Sequence, residues 1–525
     1  MLLFLLVLCV VFVPLSGCGS GAYKMDMDFV YLMEGDIASL DPQISKLGTE
    51  KTVISMIFEG LCRLDSTGSA VPGAAKDWES NEDFTRFTFH IREDATWSNG
   101  EPLLAEDFVF GIRRAVLPDT KATGLECMFI IKNAREINSG EADIETLGVY
   151  APDSYTVIFE LNESYERFPK LTANPRYMPC QQKYFEETVG HYGMDCMYIM
   201  TNGPFTFPSN YSWTKGELLR LTKTLEYTGE REVMPKGISL ILPSYPDDIK
   251  SPVEALVSEQ LDFVRLPIGD VDKAKENNCD VITVSDSVYG LLMNTQNSKL
   301  ESAKLRGIYL KAIDRNEVIS RMGEDLSEAK GIMPKSVRWE GKIYQQPGDM
   351  MYPKQKKNIG DDIPLVLEEL DITELPSINI ICPDDEYSKH LANGIIVSWN
   401  ENLPNMFNLE PLSTEEYRER VKSGNYEAAL YKFSANGTMP ISVFSQFSSI
   451  ASPQLLGDET YDEKLKFLEF STYAYKELEQ ELINQYVFYP IHNTQSYYGI
   501  NPKARDIDFL PDSGPDFISA VKRDS

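Results

Sequence analysis

Short apolar strands interleaved with amphipathic helices along all 525 residues predict an α/β (mixed α+β) architecture. Three observations carry this. The segment 86–91 sets Phe87, Phe89 and Ile91 on one side and Thr88 and His90 on the other, the period-two pattern of a strand with one buried face. Residues 102–116 instead align Leu104, Phe108, Ile112 and Ala115 on one helical face. Segments of both kinds alternate from end to end, with no block of strands set apart from a block of helices.

In chain order, a first strand over 28–33 stops at Gly35-Asp36, and Leu40-Asp41-Pro42 leaves regular structure because a residue before proline is pushed out of the helical region. A helix over 49–58 follows, with Val53, Ile57 and Leu61 at i, i+4 and i+8. Strands at 61–65 and 86–91 lie either side of the Thr67-Gly68 turn; Asn99-Gly100 is a tight turn and Pro102 opens the helix to 116. Tyr155 to Leu161 is a strand, and Asn202-Gly203-Pro204 a turn. A helix spans 251–261, then come strands at 263–266, 281–284 and 289–293. Ser302 caps a helix to 312, and Asp314 caps the next, with Glu317 placed to reach back as in a capping box. Residues 326–362, with little periodicity, read as a long surface excursion. Helix 364–369, strand 377–381, helices 387–400 and 414–421, strand 426–433 and one long helix over 462–485 complete the pass.

The 80 acidic against 50 basic residues leave a net charge of −30. Such a surface repels phosphate backbones and anionic lipid, which excludes nucleic-acid binding by a basic face. Residues 2–15 form the only long apolar run. About 20 residues are needed to cross a bilayer as a helix, so the run reads as a signal-peptide hydrophobic region. It leads into Leu15-Ser16-Gly17-Cys18, which resembles a bacterial lipobox, although no Lys or Arg precedes the run. That resemblance implies a signal peptide over 1–17, lipidation at Cys18, a tether over 18–27 and a body held on the extracytoplasmic face of a bacterial membrane. Cys62, Cys127, Cys180, Cys196, Cys279 and Cys382 remain, none at C-x-x-C spacing, so free or partly paired thiols are expected and no disulfide framework.

Searches for chemistry return little. No two of His90, His191, His390 and His492 lie at metal-ligand spacing. No nucleophile elbow, P-loop or dinucleotide fingerprint is present, and acidic pairs such as Glu186-Glu187 fit a solvated face. No catalytic residue, metal or cofactor is expected.

What stands out is a series of short segments in a fixed order. Leu40-Asp41-Pro42, Phe58-Glu59-Gly60-Leu61, the stretch from Val71-Pro72-Gly73 to Glu79, the 87–92 strand, Trp97-Ser98-Asn99-Gly100-Glu101-Pro102 and the stretch 105–110 follow one another closely. Asn202-Gly203-Pro204-Phe205, Leu305-Arg306-Gly307 and Ser423-Gly424-Asn425-Tyr426 extend the series. Over residues 28–520 the chain resembles the family 5 extracellular solute-binding proteins, the oligopeptide- and dipeptide-binding components of ATP-driven importers. Trp78, Trp97, Asn99-Gly100 and Pro102 read as structural anchors within that block.

The resemblance implies a two-lobed, periplasmic-binding-protein-like clamp with an extra subdomain on the first lobe. Lobe I would take 28–61, 202–286 and 500–525, the extra subdomain 62–201 and lobe II 287–499, with hinge crossovers near 286 and 499. In peptide binders of the family, a second-lobe loop reading Gly-Trp-x-x-Asp-Tyr carries an aspartate that pairs with the peptide ammonium. Here Phe433 holds the tryptophan position and Asn436 the aspartate position. The change removes a charge-assisted contact worth roughly 1.5–3 kcal/mol, so a neutral ligand or a peptide gripped by its backbone fits equally well. Ser45 and Glu50 from the first lobe, Met128 and Phe129 on the extra subdomain, Tyr289 at one crossover and His492 and Asn493 at the other complete the candidate ligand-binding set. The expectation is a monomeric binding protein that captures an oligopeptide by hinge closure and delivers it to the permease subunits of an ABC importer, without chemistry. The alternatives are the same fold binding a non-peptide solute such as an oligosaccharide, a surface lipoprotein hydrolase, or a sensor.

Overall fold

One mixed sheet of 11 strands runs through the molecule. Its centre is a pair of long antiparallel strands, Asp280–Met293 and Phe488–Ile500, matched from Asp280 opposite Ile500 to Leu292 opposite Phe488. The computed structural model describes residues 29–46, 48–243, 249, 251–322, 326–339, 342–344, 359–403, 407–435, 439–449, 451, 454–466, 468, 471–510 and 513–522. The expected signal peptide, Cys18, the tether and Asn436 lie outside them.

The two long strands serve two half-sheets. On one side Phe263–Leu266 pairs with the 497–500 end, and Phe29–Leu32, Gly237–Ile241, Leu218–Lys223 and Phe205–Thr206 follow outward. On the other, Ala428–Ser434 pairs with the 287–293 end, followed by Asn379–Pro383 and Asn408–Leu412. Between the halves the register breaks from Val284 to Ser287, opposite Thr494 and Ser496. A bulge of this kind bends a strand without ending it. The expected separate strands at 281–284 and 289–293 are therefore one strand. Ser285, Asp286 and Ser287 lie between the two expected strands, yet Ala435 donates its N–H to the Asp286 carbonyl and the chain stays in the sheet.

A second, four-stranded sheet, Ala75–Ser80, Arg86–Ile91, Thr156–Glu160 and Val149–Asp153 in spatial order, builds the extra subdomain. Helix Ala105–Val116 lies over it, with Phe108 and Ile112 fully buried. Phe87, Phe89 and Phe159 gather round Phe168, with ring centroids 4.9–6.3 Å apart. The turn before the helix is tied by one carboxylate oxygen: Asp107 Oδ2 accepts from Trp97 Nε1 and from the Leu104 N–H, both at 2.9 Å. A single core continues from Phe29 and Tyr31 of the first half-sheet into this subdomain.

The second half-sheet is covered on both faces. Val288, Leu292, Ala429, Phe433 and Phe488 point to one core, and Tyr289, Leu291, Met293, Leu430 and Tyr489 to the other. Several local expectations are corrected here. The long helix is two, Glu459–Lys466 and Thr472–Gln485, the second capped by Ser471 Oγ accepting the Ala474 N–H. The helix expected to reach Leu261 ends at Val257, with Glu259 in the left-handed region at φ 62°. Asp314 does cap helix Arg315–Arg321, but Glu317 turns to Arg321 and the Asp314 N–H goes to Ser398 Oγ. Within the supposed surface excursion, Ile332, Met333 and Val337 are fully buried, because Ala329 and Ser336 donate N–H groups to Ile491 and Ser285 and draw the segment into the core.

Candidate functional site

A cavity of about 560 Å³ lies between the lobe I side of the molecule and residues 439–451 of the other half. Its floor is set by the segments that carried the family resemblance. Asn202 and Glu59 exchange two hydrogen bonds, Asn202 Nδ2 to the Glu59 carbonyl at 2.9 Å and the Glu59 N–H to Asn202 Oδ1 at 3.1 Å. Gly203 donates to Ile57, and Gly73 and Ala74 donate to Leu61 and Gly60. A Cβ at Gly203 would stand 2.5 Å from the Ile57 carbonyl carbon, and one at Gly60 2.7 Å from the Thr172 oxygen. These motifs are backbone crossings that only glycine permits, and they shape the wall where Phe58, Gly60 and Cys62 face the cavity.

Two buried arginines hold the rim. Arg176 donates to the carbonyls of Pro42, Ser45 and Thr123 at 2.6, 2.7 and 2.9 Å. No carboxylate among the described residues is bound to it, and burial brings its pKa down to about 10. Arg114 grips Asp41 at 2.8 Å, and Gln43 Nε2 donates to the Met178 carbonyl at 2.9 Å, so the 41–45 turn is fastened to the extra subdomain. Beneath the floor, the buried Glu59 carboxylate meets Arg63 at 3.1 Å, Arg92 at 3.2 Å and the Tyr227 hydroxyl at 2.6 Å. Burial raises the pKa of Glu59, and its two arginines and Tyr227 oppose that rise. Burial also pushes the wall thiols of Cys62 and Cys127 up to about 12, which leaves them unreactive as thiolates. All six described cysteines are free and buried.

From the far side the cavity is closed by Met439, Ile441, Ser442, Ser445 and Gln446. The lobes also meet through aromatic rings. Trp339 stacks on Tyr165 of the extra subdomain with centroids 6.3 Å apart and planes 18° apart. The same indole packs edge-on against Tyr475 at 4.8 Å and donates Nε1–H to Thr472 at 2.8 Å, within its own lobe.

None of the eight described candidate residues lies on this wall. Ser45 is buried beside it, its carbonyl taken by Arg176. Glu50 is buried and faces the Ala38 N–H at 3.4 Å. Met128 is fully buried in the subdomain core, and the ring of Phe129 lies under Arg135. Phe433 stacks on Phe447 at 4.8 Å inside the second lobe. Buried Tyr289 and His492 cluster with half-buried Tyr387: His492 Nε2 is 2.8 Å from the Tyr387 hydroxyl, and the Tyr289 hydroxyl is 2.9 Å from Ser388 Oγ. Burial lowers the His492 pKa, which favours the neutral ring. Asn493 donates to the Glu328 carbonyl at 2.9 Å. Motif position put these residues near the lobe junction, but alternation along their strands turned Tyr289, Phe433 and His492 inward, while Ser45, Glu50, Met128 and Phe129 sit in turn and helical segments packed beside the cavity. Lys51, Arg176, Met439 and Gln446 went unnoticed in the sequence, where each looks like an ordinary helix or turn residue. Among the described residues no group of three or more His, Cys, Asp or Glu could hold a metal ion.

Two lobes joined through one central strand pair, with a walled cavity between them, define the class as a two-lobed solute-binding protein. Residues 69–452 match the family described as bacterial extracellular solute-binding proteins, family 5 middle, and the chain belongs to that family. It is 24% identical over 422 residues to the oligopeptide-binding protein OppA of Bacillus subtilis, covering 78% of this chain and 75% of that one. To the dipeptide-binding protein of Lactococcus lactis it is 25% identical over 471 residues, covering 86% and 84%. The fold matches Listeria monocytogenes OppA bound to peptide with a TM-score of 0.76 at 20% identity, over 95% of this chain and 100% of the other.

Proposed function

We propose that this chain is the lipid-anchored, extracytoplasmic binding component of an ABC importer, capturing oligopeptides between its lobes and handing them to permease subunits. The observation that carries this reading is the cavity of about 560 Å³ walled by both halves of the molecule. A ligand there touches both lobes only when they are together, so binding favours the closed state. Support comes from the family and from relatives named for oligopeptide and dipeptide binding. The lobes are assigned as 28–61, 202–286 and 500–525, and 287–499, with 62–201 as the extra subdomain. The bulge at Val284–Ser287 opposite Thr494 and Ser496 is the bending point of the hinge. Cys18 is the lipidation site.

Native mass spectrometry of the soluble form starting at Gly19, purified without refolding from rich medium, tests the proposal. Adducts that fragment into short peptides are the expected result. A single non-peptide adduct overturns the peptide reading in favour of another solute.

A further inference from the structure

Taking the interlobe cavity as the ligand site, we infer that Lys51 makes part of its wall a subsite for a ligand carboxylate. Lys51 sits in the first turn of helix Thr49–Ile57, is 8% exposed and lines the cavity. Its ammonium takes part in no hydrogen bond or ion pair among the described residues. Lysines elsewhere behave otherwise: Lys132, Lys273 and Lys299, each about half exposed, pair with Glu160, Glu254 and Glu427. Packing holds the side chain at the wall and no carboxylate among the described residues competes for the ammonium, so an arriving carboxylate makes a charge-assisted hydrogen bond with it.

The wall as a whole points the same way. In a chain of net charge −30 it carries Lys46, Lys51, Arg63, Lys170 and Arg176 against the carboxyls of Glu126 and Asp516. Asp516 is already held by Arg231, and Arg63 by Glu59. Glu126 lies in the field of Arg176. Arg176 has its N–H groups taken by three backbone carbonyls, which leaves Lys51 as the buried cation of the wall with neither a carboxylate nor another hydrogen-bond partner among the described residues. The carboxylate it takes is either the C-terminus of a peptide or an acidic side chain.

The test is calorimetric titration of wild type, Lys51→Met and Lys51→Arg with three probes: trialanine as the free acid, trialanine amide, and Ala-Glu-Ala amide. Wild type is expected to bind at least one carboxylate-bearing probe about ten-fold or more tighter than trialanine amide. The probe that gains identifies the source of the carboxylate. Lys51→Met should erase that preference while leaving the amide within about two-fold of wild type, and Lys51→Arg should restore it. Equal binding of all three probes by wild type, or a preference that survives in Lys51→Met, overturns the subsite and leaves the peptide reading standing. A carboxylate-bearing non-peptide cargo that co-purifies with wild type and is lost from Lys51→Met overturns the peptide reading and upholds the subsite. Failure of wild type to bind any probe or cargo refutes both.

Discussion

On the proposed hinge, Trp339→Leu should weaken ligand binding without weakening the fold to match, because the indole bridges the two lobes. Its contacts divide by location. The edge-on packing on Tyr475 and the bond to Thr472 lie within one lobe and persist whether the cleft is open or shut. The stack on Tyr165, at 6.3 Å and 18°, crosses between the lobes, and the proposed opening would break it. An aromatic pair contributes about 0.5–1.5 kcal/mol beyond its buried area. Loss of that amount from the closed state alone raises the apparent Kd by about 2- to 13-fold. Leucine keeps an apolar contact, and Tyr165→Leu should give a change of similar size. Titration of both single variants and the double variant with one peptide forms a cycle whose coupling energy should equal the stacking contribution, about 1 kcal/mol. Distance measurements between fluorophores on the two lobes should show the unliganded variants shifted toward open. Strictly additive variants, or affinity that stays put while the melting temperature falls, would refute the clasp.

Three further outcomes follow from buried groups. Burial pushes Asp107 up to about 6, above the usual 3.8, so the folded state holds its proton more tightly than the unfolded chain and stability falls as pH rises from about 4 through 6. Asp107→Asn keeps an acceptor for Trp97 and Leu104 and removes the charge; urea melts should show it more stable than wild type by about 2–3 kcal/mol at pH 7.5 and no more stable at pH 4. His492 has the opposite sense: its folded pKa lies below the ordinary 6.5, so wild type loses stability as pH falls below about 6.5, and His492→Gln should flatten that part of the pH profile of the melting temperature. Glu59→Ala strands Arg63 and Arg92 and should cost about 3–5 kcal/mol in denaturant unfolding, against little change on breaking an exposed surface pair such as Lys273–Glu254.

Much of the architecture was legible from local pattern. Strand 86–91 was read from its alternation and stands in the structure with the same bounds, as does 263–266. Ser302 and Asp314 were recognised as caps because a cap is an interaction over three or four residues. The order of the glycine-bearing segments was enough to name the family. Mistakes came where the deciding contact was remote. Two separate strands were expected at 281–284 and 289–293, and the neighbouring strands 428–434 and 488–500 hold the residues between them in the sheet. The 326–339 segment looked exposed, yet backbone bonds to residues about 50 and 160 positions away pull it into the core.

The same division governs the site. Local spacing and composition were sufficient for the fold class, the family and the absence of a recognisable catalytic motif, because those follow from periodicity and from residues close together in the chain. Which side chains line the cavity depends on where two lobes meet. Helix 49–57, the 123–127 and 170–178 segments, the 204–205 turn, the 439–451 segment and the 510–518 tail converge there from positions up to about 470 residues apart. A lysine in a first helical turn is an ordinary surface residue by sequence. At Lys51 the packing buries most of the side chain at the cavity wall and, among the described residues, supplies no counter-charge, and that combination belongs to the tertiary structure alone.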